Sequence, residues 1–549
     1  MEKIIVTAAL PYSYSIPHLG NFVGSVLPAD VYYKYLRMKG ADAIFICGSD
    51  QHGTSGELKA MKEGKDPEEL SNEMHAKLKK LFDSYECSFT FYGKTHTPEN
   101  RDTVYEFFNS LNKNGYIGET ESEMPYCNVD NMILADSFIE GTCPFCSYTK
   151  AKGNQCENCG RLLDPAQLVE PRCTICHKYD ITFKKVKNLA LLLDKLQDEI
   201  ERFIKERSKN HWSKSAKNKA LSYIKEGLKP RDITRKTRWG FPVPLKGFED
   251  TKLYVWFDAP IGYIGITKEW DNNRWREYWL GKDTKLIQFM GKDNIEFHAL
   301  VWPGMLIGSA LGFPLPYTIK ASEYLLDHGL KFSKSSATGL DMQAALGILE
   351  PDYWRFALIS LYPETADTEF STETMFSIVN GVMNDNIGNF VNRALSMAKR
   401  DAPRRQLRIA IEDGYGKEAE NIIKEYISNF ESLNLREAMR CVVALSTLGN
   451  SIIGNKQPWL LSKKAGSDAD AAEELNRVLG TVVCLVYKVG ILIWPFAPGA
   501  SGKILSYFKV NSEPRMDMLD QEPKLDTSKE VKPIFTKLPE SFAEHITKG

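Results

Sequence analysis

The sequence predicts an α/β region with a parallel sheet, a cysteine-rich insertion within it, and an all-helical region that follows. Short apolar runs alternate with helical stretches near the N-terminus, paired cysteines cluster in one segment, and a helical period dominates from about Asp341 onward. The chain has 549 residues, of which 43% are hydrophobic and 26% charged. This composition is typical of globular proteins and excludes a disordered or collagen-like chain.

The alternation begins at the N-terminus. Residues 4–10 form a short apolar run that ends at Pro11, and a helical stretch follows over 21–37. A second apolar run, 43–47, leads into the polar turn 48–53 and another helical stretch. Strand, loop and helix in this order predict parallel strands whose carboxyl ends carry a ligand site.

The same alternation returns after the insertion, which we place over about 118–185. We expect strand-like runs in the segments that are again short and apolar, namely 252–257, 285–290 and 317–321. In the C-terminal region, helices are expected where the helical period is clearest, namely over 375–399, 418–430 and 472–494.

Charge and targeting signals indicate where the protein is located and which classes of partner it can bind. The formal net charge is −1, so a polyanionic partner would have to be held by local basic patches. The segment 205–238 is such a patch, with 12 Lys or Arg against three acids. The N-terminal apolar run is too short for a signal peptide, and no window approaches the ~18–20 apolar residues of a membrane span. We therefore expect a cytoplasmic protein that has no membrane partner.

Seven of the 11 cysteines fall between Cys127 and Cys176. In a long chain without a secretion signal, such clustering favours metal ligation over disulfide bonds. Two Cys-x-x-Cys pairs can set four thiolates tetrahedrally around Zn²⁺. They predict a structural zinc site on Cys143, Cys146, Cys156 and Cys159.

The remaining cysteines of this cluster leave a second candidate set. Cys173 and Cys176 form a third pair, whereas Cys127 is followed at the matching position by Asp130. A carboxylate is a permitted zinc ligand, although it is a harder ligand than a thiolate. We expect one tightly held zinc per chain, with Cys127, Asp130, Cys173 and Cys176 as a weaker second site.

Two short motifs carry the chemistry. His18-Leu19-Gly20-Asn21 directly follows the first strand and opens a helix, whose N-terminal N–H groups can receive an anion. Lys331-Phe332-Ser333-Lys334-Ser335 lies in a Ser/Gly-rich loop, where two lysines can bind a triphosphate as mobile charges. Either motif alone is weak evidence, because a histidine in a turn and a solvated charged loop are both common.

Together and in this order, the two motifs resemble the signature sequences of class I aminoacyl-tRNA synthetases. Further segments resemble the methionyl-tRNA synthetase family, in its archaeal and eukaryotic branch. These are ALPY at 9–12, FICGSDQHG at 45–53, KPRDITR at 229–235, YVWFDAPIGY at 254–263, GKDNIEFH at 291–298 and QPW at 457–459. The resemblance runs from the N-terminus to about residue 500.

The resemblance implies a Rossmann-type catalytic domain that activates L-methionine with ATP and transfers it to the 3′ end of tRNA(Met). It implies catalytic roles for His18, Asn21, Lys331 and Lys334 at the phosphates, with Mg²⁺ accompanying ATP. Asn21 stands where the family has a second histidine, and it keeps a neutral hydrogen-bond donor there. The implied ATP site consists of His18, Asn21, Gly291, Asp293 and Lys334.

The resemblance also implies a methionine site and an anticodon site. The methionine site needs aromatic walls for a soft thioether and a carboxylate, Asp50, for the α-ammonium group. Its residues are Leu10, Tyr12, Asp50, Trp256, Pro260, Tyr263 and His298. The implied anticodon contacts are Asn389, Arg393 and Trp459, which fit because unpaired bases are recognised by stacking and hydrogen bonds.

The expected domain order has five parts. They are the first half of the catalytic domain (1–117), the zinc-knuckle insertion (118–230), the second half of the catalytic domain (231–325), a linking domain with the Lys331–Ser335 motif (326–380), and the helical anticodon-binding domain with the tail (381–549). We expect a monomer.

Two alternatives stay open at this point: a class I synthetase for another amino acid, such as cysteine, and a non-catalytic synthetase-like tRNA-binding protein. The segments around Trp256 and Trp459 argue against the first, and the lysines of the second motif argue against the second.

Overall fold

The computed structural model describes residues 2–156, 158–159, 161, 163–327, 329–332, 339–401, 407–540 and 542. The chain divides into two compact units. The first unit comprises residues 1–16, 44–81 and 89–321, and the second comprises 17–43, 82–88 and 322–549. The finer division into five domains stays a prediction.

In chain order the strands are β1 (Lys3–Ala8), β2 (Asp42–Ser49), β3 (Phe91–Lys94), β4 (Ile117–Cys127), β5 (Met132–Ile133), β6 (Ile139–Thr142), β7 (Ala151–Lys152), β8 (Val169–Cys173), β9 (Ile181–Leu191), β10 (Arg231–Asp232), β11 (Thr234–Arg235), β12 (Lys252–Leu253), β13 (Thr284–Gly291), β14 (Pro316–Ser322), β15 (Leu325–Asp327), β16 (Leu330–Lys331) and β17 (Thr368–Phe370).

The α-helices are α1 (Leu19–Asn21), α2 (Leu27–Met38), α3 (Thr54–Glu63), α4 (Pro67–Ser84), α5 (Pro98–Lys113), α6 (Gln197–Arg207), α7 (Lys214–Glu226), α8 (Val255–Trp270), α9 (Trp275–Trp279), α10 (Trp302–Ser309), α11 (Met342–Leu346), α12 (Pro351–Ser360), α13 (Thr372–Ser377), α14 (Asn389–Asp401), α15 (Asp413–Glu431), α16 (Leu435–Lys456), α17 (Pro458–Lys464), α18 (Ala469–Leu492) and α19 (Pro498–Leu505). Stretches of π-helix cover Phe22–Val26, Phe297–Val301 and Ile378–Gly388.

The first unit is built on a five-stranded sheet with the order β14-β13-β1-β2-β3. β1 runs parallel to β13, and β2 runs parallel to β3. From Ile4 to Ala8 every residue of β1 is buried, as is typical of central strands in a sheet that is covered on both faces. The helices α5, α8 and α10 pack together and bury Phe107, Ile264 and Trp302. The predicted α/β class with a parallel sheet is confirmed.

The strand expected over 252–257 is wrong. Only Lys252–Leu253 forms a strand, and α8 begins at Val255. This helix is buried over most of its length, so its sequence is apolar all round and shows no period. A short apolar run of this kind cannot be distinguished from a buried strand by sequence pattern alone.

The insertion, which belongs to the first unit, is joined to the rest of that unit at its base and also through its outer part. β4 and β9 pair antiparallel along their whole length, from Ile117 opposite Leu191 to Cys127 opposite Ile181. Further along the insertion, Ser137 Oγ lies 2.7 Å from Ser55 Oγ at the start of α3. The small sheet β7-β6-β8 lies in this outer part of the insertion.

The second unit is mainly helical, as expected, but the region predicted to be all-helical from about Asp341 onward contains the short strand β17, which pairs with β15. Asp468 begins α18 by accepting hydrogen bonds from the N–H groups of Asp470 and Ala471, and α16 and α17 pack against that helix. The expectation that no window resembles a membrane span is wrong for α18, whose apolar window has a mean hydropathy of 1.6. Because 83% of this window is buried inside the protein, α18 has the features of a core helix.

Candidate active site

A cavity of about 50 Å³ lies at the carboxyl ends of three neighbouring strands of the sheet. Leu10 and Tyr12 follow β1, Asp50 follows β2, and His298 lies in the segment after β13. An isolated parallel bridge joins Tyr12 to Asp50 and so continues the parallel arrangement beyond the ends of the strands. This is the edge of a parallel sheet at which ligands bind.

All seven residues predicted to bind methionine line this cavity. Ala9, Ala259, Asn294 and Phe297 line it as well and were missed. Each of the four is adjacent to, or only a few positions from, a predicted residue in the same quoted segment. The sequence therefore identified the segments that form the cavity, but it could not show which of their side chains point into it.

Asp50 supplies the charge of the cavity. Its side chain is 5% exposed, and Oδ1 has no hydrogen-bond partner in the described part of the chain. Burial raises the pKa of Asp50 well above its usual range, and the nearby Asp258 carboxylate raises it further. The backbone N–H of His52 opposes this shift by stabilising the charged form. A buried carboxylate without a partner favours a cationic ligand.

Tyr263 and His298 form a neutral polar pair in the wall. His298 Nδ1 lies 3.0 Å from the carbonyl oxygen of Asn294, so this nitrogen carries the proton and donates. Nε2 therefore accepts from the Tyr263 hydroxyl, 2.9 Å away. Burial lowers the pKa of His298 to about 4, which keeps the imidazole neutral at physiological pH.

Aromatic rings form the rest of the wall. The Trp256 ring lies 4.7 Å from the Phe297 ring, and the Arg231 guanidinium lies over the face of Trp256, 5.1 Å from the ring centroid. Tyr12 is 48% exposed and stacks on Tyr14 at 5.3 Å, which places its ring at the mouth of the cavity. Such walls suit an unbranched, polarisable side chain.

Gly291 and Asp293, predicted to bind ATP, lie at the same edge of the sheet. Gly291 ends β13, and a Cβ atom there would meet no heavy atom within 4 Å. Asp293 lies in the 3₁₀ turn Lys292–Asn294, only a few residues from Phe297 in the cavity wall.

In the second unit, His18 and Asn21 bond to each other reciprocally. His18 Nδ1 accepts from the Asn21 backbone N–H at 3.0 Å, and Asn21 Oδ1 accepts from the His18 backbone N–H at 3.2 Å. Since Nδ1 is an acceptor, the neutral imidazole carries its proton on Nε2. The Asn21 carboxamide leaves its NH₂ group as a donor.

The two signature motifs meet within the second unit. The Leu19 N–H donates to the Leu340 carbonyl oxygen, and the Met342 N–H donates to the Pro17 carbonyl oxygen, both at 3.0 Å. The buried ring of Phe332 lies 5.5 Å from the His18 ring. The described part of the second motif therefore lies beside the first motif.

The two lysines of the second motif are only partly described. The backbone of Lys331 ends β16. The Lys331 side chain and all of Lys334 lie outside the described residues.

The cysteine pairs form two compact clusters. In each predicted set, the four candidate ligand atoms lie within 4.8 Å of one another. In the four-thiolate set, Cys146 Sγ lies 3.6 Å from Cys156 Sγ. The Tyr148 backbone N–H and the Asn158 amide lower the pKa of Cys146 to about 6, which favours the thiolate that binds metal.

In the second set, Asp130 turns its carboxylate toward the sulfur atoms. Oδ2 accepts from Cys173 Sγ at 3.0 Å and from Cys127 Sγ at 3.3 Å. Hydrogen bonds from the thiols of Cys176 and Cys173 are the main cause of the lowered pKa of Asp130. Both donor sets fit a tetrahedral Zn²⁺ ion chemically.

Two of the three predicted anticodon residues are brought together in the second unit. The Arg393 guanidinium lies over the Trp459 ring, 6.0 Å from its centroid. Trp459 is 37% exposed at the start of α17, so the ring retains accessible surface. Asn389 lies one turn before Arg393 on α14 and donates to Asp385 Oδ1 at 3.4 Å.

Comparison with known proteins gives consistent matches. The family model described as tRNA synthetases class I (M) matches residues 4–395. The methionine–tRNA ligase of Ignicoccus hospitalis is 39% identical, with 100% of this chain and 97% of that protein covered. That of Thermofilum pendens is 40% identical, with 92% and 90% covered. The chain also resembles a solved structure, Mycobacterium tuberculosis methionyl-tRNA synthetase in complex with methionyl-adenylate. The two are 21% identical in sequence with a TM-score of 0.80, and the superposition covers 97% of this chain and 100% of that one.

Proposed function

The chain belongs to the methionine–tRNA ligase family of class I tRNA synthetases, and from this premise we propose the roles that its residues take in the reaction. The enzyme activates L-methionine with ATP to methionyl-adenylate and pyrophosphate. It then transfers methionine to the 3′ end of tRNA(Met). The observation that carries the site assignment is Asp50, a buried carboxylate whose Oδ1 is unpartnered in the described chain and which lines an aromatic cavity.

In the first step the site holds methionine by both ends. The ammonium group pairs with Asp50, and the thioether packs against Trp256, Pro260 and Leu10. The neutral Tyr263–His298 pair gives this wall polarity without charge, so the wall does not favour a charged side chain.

A carboxylate oxygen of methionine attacks the α-phosphorus of ATP, and the bond to the β-phosphate oxygen breaks. His18 Nε2–H and the Asn21 amide donate to phosphate oxygens, and Asp293 accepts from ribose hydroxyls. Lys331 and Lys334 neutralise the leaving pyrophosphate. Mg²⁺ bound with ATP supplies further charge neutralisation. No covalent enzyme intermediate is needed, so catalysis consists of positioning and electrostatic stabilisation.

In the second step a hydroxyl of the terminal tRNA ribose attacks the methionyl carbonyl, and AMP leaves. Arg393 and Trp459 bind anticodon bases, the ring by stacking and the guanidinium by hydrogen bonding, together with Asn389. The basic segment 205–238 contacts the backbone near the acceptor end.

For the metal, we propose one tightly held structural Zn²⁺ on Cys143, Cys146, Cys156 and Cys159. The second set, which includes Asp130, is a weaker zinc site. Both are supported by the closeness of their ligand atoms. We further propose a monomeric, cytoplasmic protein. It has no membrane partner in this proposal, and the burial of α18 supports that part alone.

The test is ATP–pyrophosphate exchange with methionine, with cysteine and without an amino acid. Exchange that depends on methionine supports the proposal. Exchange with cysteine alone would indicate another specificity, and the absence of exchange with either would indicate a non-catalytic tRNA-binding protein. The alternative of a cysteine enzyme, in which zinc would bind the substrate, is disfavoured because Trp256 lines the cavity and neither cysteine cluster does.

A further inference from the structure

A chain of ionisable groups lies behind the amino-acid cavity, and the reaction as described does not use it. His52 Nδ1 lies 2.5 Å from Asp258 Oδ2, and His52 Nε2 lies 2.8 Å from His96 Nδ1. His52 is 2% exposed and Asp258 0%. Neither lines the cavity, but His52 is two residues from Asp50 and Asp258 is two residues from Trp256.

Aromatic rings shield this chain from water. The His52 ring meets Phe241 at 4.7 Å and Trp239 at 5.3 Å, both nearly perpendicular. The His96 ring stacks on Phe241 at 5.3 Å. In the part of the chain that the structure describes, His52 is the only basic side chain within ion-pair distance of Asp258. Any charge on Asp258 therefore has to be balanced by His52.

The hydrogen bonds fix the donor in one contact of this chain, and the tautomer of His96 sets the donor in the other. The Asp258 carboxylate accepts, so His52 Nδ1 donates. Burial is the main cause of a lowered pKa of about 4 for His96, which stays neutral at physiological pH. With its proton on Nε2, the atom 4.0 Å from Glu68 Oε2, His96 accepts at Nδ1 from His52 Nε2–H. The geometry thus suits an imidazolium between Asp258 and His96.

The pair is coupled to Asp50, because the Asp258 carboxylate raises the pKa of Asp50. With His52 charged, Asp258 is balanced and Asp50 can stay ionised. With His52 neutral, the uncompensated Asp258 would drive Asp50 to take up a proton, and the ammonium group of the substrate would lose its partner. The other ionisable groups that face the chain are Tyr12 and Tyr263 beside Asp50, and Glu68, Lys94 and Arg101 beside His96.

We propose that His52 and Asp258 are positioning residues that set the affinity of the site for the amino group of its substrate, by keeping Asp50 ionised. This inference rests on the proposed function, since it takes the methionine ammonium as the ligand of Asp50. Neither residue touches the substrate. The pair acts by balancing charge behind Asp50.

The test is the pH profile of kcat/KM for methionine in tRNA-free pyrophosphate exchange, in two variants of opposite expected effect. His52→Gln keeps a hydrogen-bond donor but removes the cation, so the acid limb of the profile should move up by about 1–3 pH units. Asp258→Asn removes the repelling charge, so the acid limb should move down. In the double variant both charges are gone, and the limb should return close to its wild-type position.

Two inhibitors separate loss of the ammonium contact from general damage to the cavity. Methioninol keeps the ammonium group, whereas 4-(methylthio)butanoate lacks it. At a pH on the acid limb of both enzymes, the inhibition constant of methioninol should be about tenfold or more higher in His52→Gln than in the wild type, the factor expected there when the limb moves up by about one pH unit or more. The inhibition constant of 4-(methylthio)butanoate should stay at its wild-type value.

His75→Gln is the matched control. His75 is another histidine of the first unit, and its Nδ1 lies 2.8 Å from Ser49 Oγ, so it contacts neither Asp258 nor His52. Its acid limb should coincide with that of the wild type.

The inference would be overturned if the acid limbs of the two single variants shifted in the same direction, or if neither shifted. A pair with only a structural role would lower activity in both variants without moving their acid limbs in opposite directions. If His52→Gln does not fold, Asp258→Asn decides alone: a downward shift supports the inference, and an unchanged or upward limb refutes it. A wild-type enzyme without methionine-dependent exchange would instead refute the proposed function itself.

Discussion

Replacement of Asp50 by asparagine is expected to have opposite effects on substrate binding and on stability. The substitution keeps the size of the side chain and removes its charge. In the complex, Asp50 and the methionine ammonium form a buried ion pair, and loss of one partner of such a pair costs about 3–5 kcal/mol. The KM for methionine should therefore rise by about two to three and a half orders of magnitude.

Without substrate, the same carboxylate destabilises the fold, because Oδ1 is buried and unpartnered in the described chain. Burial is the main cause that raises the pKa of Asp50 above its unfolded value. Ionisation therefore costs more in the folded state than in the unfolded state. The resulting loss of stability develops as the pH rises from the unfolded toward the folded pKa, and it is fully present above both. Asp50→Asn should accordingly raise the Tm of the substrate-free enzyme at neutral pH.

Asp30→Asn in the second unit is the matched control for the direction of the change in Tm. Asp30 is also fully buried, but it pairs with Lys34 at 2.9 Å and with Arg355 at 2.7 Å. Burial alone would raise the pKa of Asp30, but the two cations outweigh burial and lower it. Its charge therefore stabilises the fold above the unfolded pKa, and Asp30→Asn should lower Tm.

The measurements are KM for methionine by pyrophosphate exchange and Tm of the substrate-free protein at several pH values. A lower Tm for Asp50→Asn, together with a KM within tenfold of wild type, would refute the reasoning. Asp50 would then be a structural residue of its turn.

The other predictions concern the phosphates, the metal and the tRNA. Lys334→Ala should raise the barrier to adenylate formation by several kcal/mol, which is about the cost of removing one oxyanion-type contact from an enzyme. Methionine binding should change little. Exchange near the wild-type rate would remove Lys334 from the site. Metal analysis of protein purified without added zinc should give one zinc per chain, and two would show that the Asp130 set binds as tightly as the set of Cys146. Trp459→Ala should cost about 1–3 kcal/mol in tRNA aminoacylation through lost stacking, while tRNA-free exchange stays unchanged. Equal losses in both assays would mean that Trp459 supports the fold.

The segments that form the amino-acid cavity could be predicted from the sequence, because each lies just beyond a strand end or on one helix. Asp50 and Tyr12 are examples, since the parallel sheet brings the ends of their strands together. The His52–Asp258 pair could not be predicted, because its members are 206 positions apart and meet only through the packing of α8. The sequence placed His18 and Asn21 at the start of one helix, but it could not show that Asn21 Oδ1 accepts from the His18 N–H.

The secondary structure follows the same division. β1 and β2 were predicted to within a few residues, because their apolar runs are short and a turn former, Pro11 or Gly48, follows each. α8 was not predicted, because a helix that is buried on all sides shows no helical period. Packing decides such segments, and packing cannot be read from local sequence.

The second attachment of the insertion limits how this protein can be altered by recombination. If the antiparallel strands β4 and β9 were the only connection, the metal-bearing segment could be cut at Ile117 and Leu191 and exchanged for a short turn, since these residues pair directly. Ser137, however, also contacts Ser55, three residues after His52, where α3 begins. Excision of the insertion would expose the surface of α3 around Ser55 and loosen the turn that carries the carboxylate of Asp50. The insertion is therefore not an exchangeable cassette, and shuffled chimeras should retain activity only when their crossover points keep the insertion and α3 from the same parent.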